Sequence, residues 1–326
     1  MRHFCKWGLT ASILFVAIAS AAEPVDVIWT ARYVVTMDVS RRIIEDGAVA
    51  VRLDKIVGVG TRAEIDKGFI ARRRKDHPNS VLMPGLIDTH QHAPMSLMRG
   101  IANDRNLQDW LQNFIFPAEG RNVNSDFVRW GTRLACLEML LAGTTTYTDM
   151  YFYEDVVAEE TRAAGMRGVL GETIFGFPAP DNRTPEAMLA FTEKFLQRFH
   201  GDPLITPAVS PHSIYTVPDD LFKKTRALAN KYGAPLVFHL SETKKEFEES
   251  KSTRGGKTPV EALDALGVFE GRSLAAHAVW LNDHDIDILA RRGVGLAHCA
   301  SSNTKMASGV ARVVKVFEYI ELPPKK

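Results

Sequence analysis

A surplus of charge of one sign is missing from this chain. Its 40 Lys and Arg face 39 Asp and Glu, a formal net charge of +1 over 326 residues. That balance gives a polyanion nothing to bind to. No basic tract or cluster of stacking aromatics offsets it, so nucleic acid is not an expected partner. Cysteine is also scarce, with three in all. Cys5 lies in an N-terminal leader, leaving Cys136 and Cys299 to make at most one disulfide, so a disulfide scaffold is excluded. Cys136 falls in an apolar helical stretch and reads as core. The leader's apolar run, from Leu9 to Ile18, is shorter than the roughly 20 residues a membrane helix needs. Arg2, His3 and Lys6 precede that run, and Ala19-Ser20-Ala21-Ala22 follow it. A basic start, a short apolar core and a small-residue exit predict a secretory signal peptide over 1–22, cleaved after Ala21 or Ala22. The mature protein is then exported, periplasmic or secreted, with no stable membrane span.

What remains has ordinary globular composition, 45% hydrophobic and 24% charged, enough for one large α/β domain and a smaller one. Between 23 and 83, β-rich segments at 25–29, 33–36, 48–52 and 55–59 are separated by Asp and Gly turns, predicting a small β-domain, an incomplete β-sandwich. The pattern changes at Pro84. One strand is expected there, and apolar segments at 144–151, 168–175, 204–210, 235–240, 273–281 and 294–298 read as further strands. Helical spacing lies between most of them, as in Met188, Phe191, Phe195 and Phe199. Gly143, Gly165, Gly233, Gly267 and Gly293 each stand just before a strand, where a helix ends in left-handed backbone. Strand, helix, glycine and strand in repetition predict a parallel sheet. Seven such strands predict a (β/α)8-type TIM barrel over 84–316 that lacks its last βα unit, followed by a divergent tail at 317–326.

Polar residues cluster where such a barrel does its chemistry, at the C-terminal ends of its strands. The segment Pro84-Gly85-Leu86-Ile87-Asp88-Thr89-His90-Gln91-His92 ends in two histidines on one face of an extended strand, able to point at one ion. Asp149, Glu172, His212, His239 with Glu242, His277 and His298 take corresponding places on the later strands. Each alone reads as a buried group bonded to backbone. Together they would be costly to bury for packing alone. His77, His200 and His284 fall in polar loops or at helix edges and read as surface residues.

Four segments carry a family resemblance: Pro84–His92, His239-Leu240-Ser241-Glu242-Thr243, Ala276-His277-Ala278-Val279-Trp280-Leu281 and His298-Cys299-Ala300-Ser301-Ser302-Asn303. They resemble the metal-dependent amidohydrolase superfamily, in the branch holding the 5-methylthioadenosine/S-adenosylhomocysteine deaminases and the triazine hydrolases. The likeness runs from about Val25 to Gly309. It implies one divalent metal, zinc or iron, on His90, His92 and His239. It also implies Glu242 as proton shuttle and His277 as the residue that orients the attacking hydroxide. His212, Trp110, Glu119 and Arg167 resemble substrate contacts of the deaminases, and His298 matches a motif position without a catalytic role. The implied activity is hydrolysis of a carbon–nitrogen bond in a small molecule, most simply deamination of an aminated heterocycle or adenosine derivative. Hydrolysis of a triazine or cyclic amide is the nearest enzymatic alternative.

One departure counts against turnover. The family's fourth metal ligand is an aspartate in a Gly-Thr-Asp-Gly-like segment ending strand eight, and none follows Gly309. Residues 310–319 read as helix, and the strands that usually complete the small β-domain are not found. The expectation is therefore a C-terminally truncated barrel with its metal ligands present and its catalysis impaired, or a non-catalytic metal-binding remnant. The open edges of strands one and seven would invite association.

Overall fold

The computed structural model describes residues 22–321, so residues 1–21 of the predicted signal peptide and 322–326 of the predicted tail lie outside the described residues. The chain divides into two compact units between Pro84 and Gly85.

The first unit is a four-stranded sheet in the order β3-β2-β1-β4, built from β1 (Glu23–Val35), β2 (Ile43–Arg52), β3 (Lys55–Thr61) and β4 (Phe69–Leu82). Strands β1, β2 and β3 pair antiparallel in sequence, whereas β4 runs parallel to β1. Val25, Ile28, Ala48 and Ala50 bury one face together with Ile65 of the helix Arg62–Gly68. That helix starts on a reciprocal cap: the Thr61 hydroxyl accepts from Glu64 N, and the Glu64 carboxylate accepts from Thr61 N. The segments predicted at 25–29 and 33–36 form one continuous strand. Strand β4 was not predicted, because Arg72-Arg73-Arg74-Lys75-Asp76 is largely exposed and lacks the alternation of a half-buried strand. Near Pro78, which has no N–H to give a ladder, pairing skips from Ala31–His77 to Tyr33–Val81.

The second unit is a curled parallel sheet. Strands β5 (Leu86–Gln91), β6 (Thr144–Tyr151), β7 (Arg167–Ile174) and β8 (Ile205–Pro207) pair in that order, and β9 (Ser210–Pro211) adds to β7 beyond β8. Strands β10 (Leu236–Leu240), β11 (Ser273–His277) and β12 (Gly295–Ala297) follow. A parallel bridge between Val209 and Leu236 joins the two groups. Because β8 and β9 are two pieces of one interrupted strand, the barrel has the seven strand positions expected, each within about two residues of its predicted start. The core between strands and helices includes Tyr147, Leu170, Phe199, Phe222 and Phe238, while Met150, Ala208 and Val237 fill a smaller cluster. Gly233 and Gly293 cap the helices Asp219–Tyr232 and Asp283–Arg292 at φ 61° and 65°, which a side chain would disfavour. Among the described residues no parallel strand follows β12; the chain continues as the helices Ala300–Lys305 and Val313–Glu321. Strands β5 and β12 therefore each pair on one side only among those residues. No described helix is long and apolar enough to cross a membrane.

Candidate active site

The C-terminal ends of the strands surround a cavity of about 530 Å³, lined among others by Trp110, His212, Tyr215, Glu242 and Met306. Five imidazoles meet at its floor. Ring centroids of His90 and His92, and of His90 and His239, are 4.9 Å apart. His239 lies 5.3 Å from both His92 and His277 and 4.6 Å from His212. His90, His92 and His239 each offer one nitrogen, all within 4.8 Å of one another.

Hydrogen bonds fix the protons on two of these rings. His92 Nδ1 lies 2.7 Å from the Met150 carbonyl, and His239 Nδ1 lies 3.0 Å from the His212 carbonyl. A carbonyl only accepts, so both Nδ1 atoms carry hydrogen and both Nε2 atoms are lone pairs. Those Nε2 atoms are 3.3 Å apart. Burial holds both rings neutral, lowering His92 to about 4 and His239 well below its ordinary value, so no proton sits between them at neutral pH. Two facing lone pairs at hydrogen-bond distance, beside the His90 ring, fit a cation. Outer carbonyl partners of this kind are how metal-binding imidazoles are oriented.

Two strained strand ends carry the acid and the fourth histidine. Ser241, His277 and Ala278 have φ of 50°, 75° and 47°, left-handed values that non-glycine residues adopt at a cost. Ala278 N donates to Leu240 O, and Val279 N and Trp280 N both donate to Ser241 O, locking the two turns together. The buried Glu246 carboxylate accepts from Ser241 N and Glu242 N at 2.8 Å each, fixing the turn that presents Glu242. Burial pushes the Glu242 carboxyl up to about 8 and lowers His277 to about 4. Glu242 Oε2 and His277 Nε2 are 3.6 Å apart. At neutral pH they are thus a carboxylic acid beside a neutral imidazole, too far for a hydrogen bond and uncharged as a pair. His277 Nδ1 is 2.8 Å from Asn303 Oδ1, which leaves His277 Nε2 as the free lone pair.

The predicted substrate contacts divide. His212 lines the main cavity with its Nδ1 held by Ser213 and Thr216 hydroxyls at 3.0 and 2.9 Å. Trp110 borders that cavity and a small adjoining one of about 50 Å³. Glu119 reaches only the smaller, where it accepts from the Tyr151 hydroxyl at 2.8 Å. Burial raises its carboxyl to about 7 against the opposing pull of that bond. Arg167 is a correction. It is exposed at the first residue of β7 and pairs beside Thr146, at the opposite end of the strand from the site, and it lines neither cavity.

Other residues matter that the sequence did not single out. Asn303 is the last residue of the His298–Asn303 motif, and its place in that motif was the available signal. Glu246 and Tyr151 left no signal, because their roles depend on contacts between turns. Asp149 and Glu172 lie in the C-terminal halves of β6 and β7 but do not line the main cavity. Asp149 accepts from Ala93 N at 2.6 Å, and Glu172 accepts from Glu154 N and Asn182 at 3.2 Å each.

Comparison with known proteins places this geometry. The model of the amidohydrolase family matches residues 81–320. A 5-methylthioadenosine/S-adenosylhomocysteine deaminase from Thermodesulfovibrio yellowstonii is 42% identical over 290 residues, covering 88% of this chain and 66% of that protein. This chain thus spans about two thirds of the length of such relatives. The solved structure of an adenosine deaminase from Xanthomonas campestris with bound zinc superposes with a TM-score of 0.89 at 36% identity, over 91% of this chain and 68% of that one. A triazine hydrolase from Arthrobacter aurescens shares the fold, with a TM-score of 0.82 at 23% identity over 90% and 69% of the two chains. On its sequence and its barrel, the chain belongs to the amidohydrolase family.

Proposed function

We propose that this chain holds one divalent cation, zinc by the character of its ligands, on His90, His92 and His239, and hydrolyses the exocyclic carbon–nitrogen bond of an adenosine-type nucleoside. The observation that carries the reading is the pair of Nε2 lone pairs 3.3 Å apart with both Nδ1 protons committed to carbonyls. Three imidazoles with one position left open suit catalytic zinc. When bound, such a cation lowers the pKa of a water from about 16 to about 7 and makes hydroxide available near neutrality.

The chain's own residues supply the rest. Glu242, lifted to about 8 by burial, keeps a proton at neutral pH and gives it to the ring nitrogen as the amine-bearing carbon becomes tetrahedral. Left as a carboxylate, it then takes the proton of the hydroxyl added to that carbon and passes it to the departing ammonia as the carbonyl forms. His277 stays neutral and points Nε2 at the attacking oxygen, with Asn303 fixing its tautomer. Trp110 covers the purine ring. Glu119, held by Tyr151, closes the small cavity behind Trp110. His212 contacts the substrate from the cavity wall.

Relatives named as deaminases of 5-methylthioadenosine and S-adenosylhomocysteine support this class. Residues 1–22 are proposed as an export signal, which N-terminal sequencing of the secreted protein checks. The activity is tested by ammonia release from 5-methylthioadenosine, S-adenosylhomocysteine and adenosine with the zinc-loaded chain. Release from at least one, lost on chelation, is expected. Inertness towards all three in a chain shown to contain zinc would overturn the deaminase reading.

A further inference from the structure

The floor of the cavity offers a second set of donors. His90, His277 and the Cys299 thiol each present one ligand atom, and all three lie within 4.8 Å of one another. This group shares only His90 with the first. Cys299 lies two residues beyond β12 and lines the same cavity. Its thiol has one weak partner, the Ala297 carbonyl at 3.5 Å, which a metal–sulfur bond readily replaces. His277 has Nδ1 engaged with Asn303, so its Nε2 lone pair is available. The His90 ring has two nitrogens, and Nδ1 is buried without any hydrogen-bond partner. A buried imidazole nitrogen left unpaired calls for a ligand.

We propose that His90, His277 and Cys299 form a second cation site, for a thiophilic divalent ion such as zinc, cadmium or cobalt. Two imidazoles and a thiolate suit such ions rather than magnesium or calcium. Binding forms a bond from Cys299 Sγ to the ion and the thiol proton leaves to solvent; with both sites filled, His90 bridges through Nδ1 and Nε2 as an imidazolate, so its ring proton leaves to solvent as well. The first site takes its ion on neutral imidazoles, this one must also lose the thiol proton, and two divalent ions sharing one imidazole repel each other, so this site fills second. One consequence rests on the function proposed above: occupation of His277 beside Glu242 blocks the groups assigned to proton handling, and excess zinc inhibits. The site itself does not depend on that reading.

Cobalt(II) tests it directly, because thiolate ligation gives a near-ultraviolet charge-transfer band that imidazole ligation does not. Titrated into the full 326-residue chain, the first equivalent should give imidazole-type absorption alone, and the thiolate band should grow with the second. Cys299→Ser should abolish the band, and Cys136→Ser should retain it. His92→Gln should weaken the first equivalent and leave the band, which separates this site from the first. As a measurement on the unaltered chain, saturating cadmium should slow alkylation of Cys299 by iodoacetamide roughly tenfold, since only the free thiolate reacts. Absence of the band at saturating cobalt, its survival in Cys299→Ser, or unchanged alkylation under cadmium would each overturn the proposal.

Discussion

Two clusters of buried polar groups close the strands of this barrel, and they solve burial in opposite ways. On β5, β10 and β11, histidines converge and lose their protons. Burial lowers every one of them, and His90, His92 and His239 bring nitrogens within 4.8 Å of one another. Around β6 and β7, carboxyls lie near one another and keep their protons. Burial lifts Asp149 to about 8 and raises Glu154 and Glu172 well above the usual carboxylate range, with Asp181 adding to Glu172. Both Glu154 oxygens and Asp149 Oδ2 have no hydrogen-bond partner. The histidines leave lone pairs that a cation satisfies, whereas the acids are made neutral by protons. Polarity at a strand end is therefore a poor guide to function by itself. What separates the two clusters is whether unprotonated donors point at one place.

The comparison breaks most visibly on the histidine side. His92→Ala should weaken cation binding by more than the roughly 10–100-fold typical of losing an outer partner of a metal ligand, and metal analysis of the purified variant checks this. Glu242→Gln should retain the cation while ammonia release falls about 10²–10⁴-fold; an equal loss of metal would mean that Glu242 is a ligand and not a proton carrier. Asn303→Ala frees the His277 tautomer and should cost about 10–100-fold in kcat, with little change in KM in steady-state assays.

The acidic side yields a smaller effect, read as stability. Asp149, Glu154 and Glu172 hold protons in the folded chain that the unfolded chain releases above about pH 4.5. The folded state binds more protons above that point, so stability falls as pH rises from about 4.5 to about 8. Glu172→Gln keeps an acceptor for Glu154 N and Asn182 but removes one of these groups. Between pH 5 and pH 8 its melting temperature should fall less than that of the unaltered chain, by roughly 2–4 °C per kcal/mol recovered. Thermal unfolding at both pH values decides it, and an unchanged slope would show that Glu172 is not held protonated.

Much of the barrel was legible because its strands are apolar runs that follow helix-ending glycines, and both signals are local. Residues 144–151 were predicted and found as one strand. Strand β4 was not legible, since its charged, exposed residues carry no period and its pairing with β1 is set by a distant segment. The His90, His92 and His239 triad was legible from spacing and resemblance. Arg167 was misplaced, because a motif position near a strand does not reveal which end of that strand it occupies. Asn303, Glu246 and Tyr151 act through hydrogen bonds between turns far apart in sequence, and no local pattern encodes those.

The central claim is that the unprotonated nitrogens of His90, His92 and His239 exist to hold a cation. Anomalous diffraction at the zinc edge, from crystals of the chain loaded with one equivalent of zinc, tests it most directly. The account predicts a single anomalous peak within bonding distance of one nitrogen from each of His90, His92 and His239. A peak elsewhere, or none between those three rings, would contradict it.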